Sequence, residues 1–424
     1  MASEQHIAYI GTRFVWGQDK FFGIRSEDRS RHLYAIGKTG TGKTTLLKNL
    51  IVQDIAAGRG VGVIDPHGDL AESLLDLIPR WRTDDVVYFN PADEEHPIAL
   101  NVFDSTAGEH RNLIASGIVS AFKNVWRDSW GPRTEYILYA AVAALLDCEN
   151  TSLLGIQRML FDERYRAWVV RQIKDPLVRS FWVREFAEYD ARFMHEAIAP
   201  IQNKVGQLVM SPLIRNIVGQ IRSRIDARFI MDDSRIFIAN LSKGRMGEDK
   251  SNLLGSLLVT QFELAAMGRA DSPESERRDF FLVIDEFQNF ATDSFVSLLS
   301  EARKYRLCLT LAHQYVRQLR QEIQDAVFGN VGSLIAFRVG STDASVLERE
   351  FDGTYSASHF TELGNHEVCA KLLVNGENRE PFLGKTLRPI ATWYGGSANI
   401  IRRSREKYAT RRTVVEDKIQ RWLT

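Results

Sequence analysis

Seven apolar runs rich in β-branched or aromatic residues punctuate the chain: RHLYAIG (Arg31–Gly37), GVGVID (Gly60–Asp65), DVVYFN (Asp85–Asn90), RIFIANLS (Arg235–Ser242), FFLVIDEF (Phe280–Phe287), LCLTLAHQ (Leu307–Gln314) and SLIAFRVG (Ser333–Gly340). Such runs show no polar alternation, and they predict strands buried on both faces, as in a parallel sheet. Between most of them the period becomes helical. After the first run, Leu46, Leu47, Leu50, Ile51 and Ile55 recur at the spacing of one helix face. The alternation predicts an α/β fold with a mostly parallel sheet flanked by helices. It breaks once. From Thr106 to Ala227 the pattern is helical and aromatic-rich, which predicts an all-α domain over 106–227, inserted between sheet-forming segments 1–105 and 228–395. A helical tail covers 396–424.

Composition adds limits more than direction. A chain of 424 residues with 44% hydrophobic side chains can bury a large core, as one domain with an insertion or as two to three domains. Its 54 basic and 54 acidic residues cancel, so any surface for nucleic acid or membrane is local. Cys148, Cys308 and Cys369 are odd in number and lack metal-ligand spacing, which argues against a zinc site and predicts core thiols in a reducing compartment. The longest apolar run, Tyr136 to Leu146, has eleven residues, where a membrane helix needs about twenty. The N-terminus lacks the charged-then-apolar order of a signal peptide. These features predict a soluble, cytoplasmic chain without a membrane segment. GRADSPESERRD (Gly268–Asp279) reads as a flexible connector. The basic C-terminal stretch from Ile400 reads as a solvated helix pair, with a nucleic-acid surface as the alternative.

Chemistry concentrates in GKTGTGKTT, Gly37–Thr45, between a predicted strand and a predicted helix. It matches G-x-x-x-x-G-K-[ST], in which backbone N–H groups close around phosphates, the lysine meets the β- and γ-oxygens, and the hydroxyl holds Mg²⁺. Gly37, Lys38, Thr39, Gly40, Thr41, Gly42, Lys43, Thr44 and Thr45 are the predicted phosphate cradle, with Lys43 as the catalytic cation and Thr44 as a metal ligand. FFLVIDEF ends in Asp285 and Glu286. Carboxylates at a strand's carboxyl end face the ligand crevice of an open α/β sheet, so Asp285 is placed to hold the metal through water and Glu286 to orient or deprotonate the attacking water. Gln314, ending the next strand, reaches the same crevice if the two strands are neighbours; otherwise it caps a turn. His313 is the less apt of that pair. Asp65, His67 and Asp69 in VIDPHGDL lie past another strand end, either as a Pro/Gly turn or as site residues, and spacing does not name their chemistry.

YAIGKTGTGKTTLL, VIDPHGDL, NLSKGRMGED, LVIDEFQNFATDSFVSLLSEARKYRLCLTLAHQ and GNVGSLIAFRVGSTDA, in this order, resemble the HerA/FtsK superfamily. Within it they are most similar to the TraG-like coupling ATPases of conjugation and type IV secretion. The resemblance runs from about Phe22 to Pro389. It implies a RecA-like P-loop NTPase motor that takes ATP and Mg²⁺, forms a homohexameric ring and moves DNA through its channel. By it, Lys43 and Thr44 are the phosphate and magnesium residues, Asp285 and Glu286 the magnesium and catalytic carboxylates, and Gln314 the sensor. Sites between subunits also need a cation from the neighbour; Arg338 is the first candidate and Arg245 the second, a surface salt bridge being the alternative for each. Lys243 and Arg245 alternatively form a channel loop on phosphates. HerA-type helicases usually carry an N-terminal β-barrel and coupling proteins membrane helices; this chain shows neither, so it is either a shortened form or a soluble relative that relies on a separate membrane or secretion-channel partner. A secretion ATPase acting on protein and a nucleotide-dependent scaffold are the alternative functions.

Overall fold

The computed structural model describes residues 6–104 and 111–423. Its strands are β1 (Ile7–Val15), β2 (Gln18–Arg25), β3 (Leu33–Ile36), β4 (Gly60–Asp65), β5 (Val86–Phe89), β6 (Ile236–Asn240), β7 (Phe280–Ile284), β8 (Leu307–His313), β9 (Ser333–Ala336), β10 (Glu367–Lys371), β11 (Leu373–Val374), β12 (Glu377–Asn378) and β13 (Phe382–Thr386). Eleven of them form one sheet in the order β2-β1-β13-β10-β9-β3-β8-β7-β4-β6-β5, and β11 pairs with β12. All seven apolar runs became strands, and every residue of β3 to β9 is buried.

From β9 through β3, β8, β7 and β4 to β6 the pairing is parallel, so these six strands end on one edge. The register fixes the levels. Ile36 stands opposite His313 and Ile284 opposite Leu311, while Ile64 stands opposite Ile284. The residues after Ile36, Ile64, Ile284 and His313 therefore emerge together.

The other half of the sheet was not anticipated. β10, β13, β1 and β2 extend it by antiparallel pairing. The sequences of β1, β2 and β13 mix glycines and charges with apolar residues because one face stays wet, and β10 is buried over only three residues between charged ends, which hides all four from a search for apolar runs. Gly11 in β1 allows the close approach: a Cβ there would collide with the Lys385 carbonyl of β13.

By internal packing the chain divides into two units. The first comprises Met1–Tyr88, Arg228–Asn240 and Ala265–Arg403 and holds the sheet; the second comprises Phe89–Ala227, Leu241–Leu264 and Ser404–Thr424. The helical unit therefore takes more chain than the 106–227 read from the sequence, and 396–424 is no separate tail but divides at Arg403. In the first unit Leu46, Leu47, Leu50, Ile51 and Ile55 of the helix Lys43–Ala56 pack on Leu33, Val61, Val63 and Ile335 of the sheet. In the second, the helices Arg111–Val125, Pro132–Leu145, Leu154–Phe161 and Ala191–Met210 bury faces that include Ile118, Phe122, Leu138, Val142, Ile156, Ile201 and Val205. No strand lies among the described residues between 111 and 227; 106–110 lie outside them.

One polar stretch differs from expectation, while the C-terminal stretch forms the expected helix pair, Ser397–Tyr408 and Arg412–Leu423. Gly268–Asp279 is pinned in place: the Arg269 guanidinium is fully buried, donating to Asp232 at 2.8 Å and to the carbonyls of Arg278 and Tyr305 at 2.9 Å each. A buried arginine that satisfies loop carbonyls looks like solvated charge in sequence. In the C-terminal helices, Val415 and Ile419 are buried and Trp422 donates to the Asn150 carbonyl at 3.0 Å. Arg405 pairs with Asp93 at 2.7 Å and Arg412 with Glu416 at 2.8 Å and Glu95 at 3.5 Å, so these cations are committed within the protein. The three cysteines are free and buried, and burial pushes the Cys148 thiol up to about 12.

Candidate active site

The loop after β3 is held from both sides. The Gly37 N–H donates to the His313 carbonyl at 3.3 Å, the Lys38 N–H to the Arg338 carbonyl at 2.8 Å, and the His366 N–H to the Thr41 carbonyl at 2.8 Å. A side chain at Gly37 would put its Cβ 2.5 Å from that of Phe337. At Gly42 φ is 120°, a conformation L-residues rarely adopt, and a Cβ there would meet the His366 ring at 2.7 Å. The backbone can fold around a phosphate only because these positions lack side chains. The helix Lys43–Ala56 begins at once, so its free N–H groups and positive dipole end face the loop. Thr44 is exposed on the first turn. Lys43 is buried at 6% exposure, its Nζ donating to the carbonyls of Gly37 at 2.5 Å and Lys38 at 3.2 Å. Burial lowers its pKa, while the charges of Glu286 and then Asp285 oppose that shift. The cradle lysine and the two acids thus share one electrostatic environment.

Asp285 follows β7, its N–H donating to the Ile64 carbonyl at 3.1 Å. Its carboxyl is pushed up to about 7, first by burial, then by the negative charges of Glu286 and Asp65, with Lys43 opposing. Glu286 is also 6% exposed and its backbone is left-handed, at φ 45° and ψ 49°. Such a conformation is strained for a glutamate, and it swings the side chain off the strand. Gln314, the residue after the adjacent β8, donates from Nε2 to Glu286 Oε1 at 2.8 Å. The strand adjacency on which its reading depended is present.

Asp65 is fully buried and accepts from the N–H groups of His67 at 2.8 Å and Ala71 at 2.9 Å. It braces the turn into the helix Asp69–Leu75, and its charge helps hold up the Asp285 pKa. His67 and Asp69 are exposed. His313 is buried under the loop, with Nδ1 3.1 Å from the Tyr34 hydroxyl, and burial pushes its pKa down to about 3. A histidine held neutral there supports the loop.

The donor set fits Mg²⁺ with a triphosphate. At one edge burial, and after it the charges of Glu286 and Asp65, raise the Asp285 pKa against the opposing charge of Lys43, and a divalent cation beside Asp285 would favour its ionised form. Among the described residues, no group of three or more His, Cys, Asp and Glu side chains could hold a metal ion on its own. Mg²⁺ commonly takes one or two protein oxygens together with phosphate and water.

The two arginines part company. Arg338 is half-buried beside this chain's own cradle: its carbonyl accepts from Lys38, and its Nη2 donates to Asn365 Oδ1 at 3.2 Å. Its backbone thus adjoins the cradle, while its guanidinium is held by Asn365. Arg245 is exposed on the four-residue helix Lys243–Met246 of the second unit. Sequence reasoning missed His366, Asn365 and Gln288. The first two carry no motif. Gln288 stood within the quoted LVIDEFQNF, two residues past the acid it bonds.

A glycine cradle at a strand-to-helix turn, opposed across β8 by an acidic pair, defines a RecA-like P-loop ATPase. The chain belongs to the family described as the type IV secretion-system coupling protein DNA-binding domain, which matches residues 22–344, well over half of it. Among solved structures it is similar to the bacterial conjugative coupling protein TrwBdeltaN70, with a TM-score of 0.64 and 15% identity over 88% of each chain. TrwB in complex with ADP and Mg²⁺ gives 0.64 and 14%, covering 94% of this chain and 98% of that one. VirB4 of Thermoanaerobacter pseudethanolicus gives 0.57 and 14%, covering 92% and 97%. At these identities the likenesses show the fold. No protein of curated function matches the chain.

Proposed function

We propose that this chain hydrolyses ATP and uses the energy to move DNA as a homohexameric coupling motor. The observation that carries the reading is the meeting of Lys43 with Asp285, Glu286 and Gln314 at one sheet edge, in a chain whose family is that of a DNA-binding domain of coupling proteins. Residues 37–45 bind the phosphates, with Lys43 turning from the carbonyls of Gly37 and Lys38 to the β- and γ-oxygens. Thr44, and Asp285 through water, would hold Mg²⁺, which supplies positive charge against the phosphate oxygens. Glu286 accepts the proton of the attacking water, and Gln314 holds Glu286 while sensing the γ-phosphate. Arg338 is the first candidate for a charge supplied to a neighbouring subunit. Arg245 is the second.

No helix among the described residues is long and apolar enough to cross a membrane. We place the motor on the cytoplasmic side, joined to a secretion channel through a partner protein. The test is ATP turnover with Mg²⁺, with and without single- and double-stranded DNA, for wild type and Glu286→Gln, together with mass measurement in nucleotide. The expected result is DNA-stimulated turnover by a hexamer, abolished in Glu286→Gln. Turnover without DNA binding or stimulation transfers the reading to a protein substrate. A hydrolytically active Glu286→Gln monomer refutes it.

A further inference from the structure

Both carboxylate oxygens of Glu286 accept from a glutamine amide. Gln314 Nε2 donates to Oε1 at 2.8 Å, and Gln288 Nε2 donates to Oε2 at 2.8 Å. We infer that Gln288 is a positioning residue for hydrolysis, fixing the plane of the Glu286 carboxylate from the side opposite Gln314. The inference rests on the reading of Glu286 as the base.

Glu286 needs such support. Its left-handed backbone directs it off the strand, and the neighbouring acid Asp285 repels it. A lysine donor would neutralise the base; an amide orients it and leaves its charge intact. Each carboxylate oxygen has about two acceptor positions, so one amide on each leaves one free on each for a proton of water.

Gln288 is itself well anchored. It lies in the 3₁₀ turn Phe287–Asn289, where Phe287 is fully buried and its ring centroid lies 5.0 Å from that of His313, 5.7 Å from Phe295 and 6.1 Å from Tyr34. Asn289 Nδ2 closes the turn on the Glu286 carbonyl at 2.8 Å. The opposite flip of the Gln288 amide would set its oxygen against a carboxylate, so the donor orientation is imposed. Its Oε1 is buried without a hydrogen-bond partner among the described residues. The side chain is therefore oriented by Glu286 and not by any bond that would stabilise the turn.

The experiment measures steady-state ATP turnover with Mg²⁺ and nucleotide Kd on the full chain for wild type, Gln288→Met, Glu286→Gln and the double variant. Gln288→Met is expected to lower kcat by about 10- to 100-fold, with KM and Kd kept within about twofold. The double variant should be no slower than Glu286→Gln alone. Normal kcat in Gln288→Met beside an inactive Glu286→Gln overturns the role of Gln288 and leaves the base in place. An active Glu286→Gln shows that the underlying reading has failed. Joint loss of kcat and nucleotide binding shows a structural role and overturns the inference, as does an additive double variant. If Gln288→Met does not fold, Gln288→Asn, which keeps the amide one carbon short, carries the same kcat-against-KM test.

Discussion

Asp285→Asn removes a charge that the fold disfavours and leaves its shape and main hydrogen bond. Asp285 Oδ1 accepts from the Glu286 N–H at 3.0 Å, and an asparagine oxygen can do the same. In the folded chain the carboxyl sits at about 7, against an ordinary 3.8, because burial and then the charges of Glu286 and Asp65 oppose ionisation. That difference disfavours the charged form by roughly 4 kcal/mol. Between about pH 4 and pH 7 the folded protein binds more protons at this group than the unfolded chain, so stability falls as pH rises through that window. Above it the penalty is complete. Asparagine carries none. In chelator and without nucleotide, Asp285→Asn should therefore be more stable than wild type by up to roughly 4 kcal/mol at about pH 8, with the gap closing towards about pH 4. Urea unfolding across that range, followed by far-ultraviolet circular dichroism, reads it. Mg²⁺ with nucleotide should narrow the gap by binding the wild-type site, while ATP turnover of the variant is lost. Equal or lower stability of Asp285→Asn at about pH 8 would refute the argument that buried like charges meet here.

Two further outcomes follow from the packing. Gly37→Ala places its new Cβ 2.5 Å from Phe337 Cβ, which should destabilise the fold by about 1–3 kcal/mol and weaken nucleotide binding at least about tenfold, measured by unfolding and by titration with a fluorescent ADP analogue. Arg405→Ala with Arg412→Ala should leave DNA affinity unchanged, because these cations already pair with Asp93, Glu95 and Glu416; a marked loss in a filter-binding or anisotropy titration would restore the C-terminal helices as a nucleic-acid surface.

Sequence alone determined the parts of this protein that depend on local pattern. Strands buried on both faces must be apolar throughout, so β3 to β9 were legible as runs, and the glycines of 37–45 announced a backbone that closes on phosphate. Asp285 and Glu286 were legible because charge at the end of an apolar run is conspicuous. Tertiary structure decided what depends on neighbours. Strand order put β8 between β3 and β7, and so delivered Gln314 to Glu286. Register placed Asp65 level with Asp285, where it raises that pKa while bracing its own helix. The half-wet strands β1 and β13 left no run to read, since the partner that covers each lies hundreds of residues away in the chain, and β10 is buried over only three residues. The same reason explains Arg269: a guanidinium is written identically whether it faces water or threads a loop, and only the folded chain selects between those surroundings.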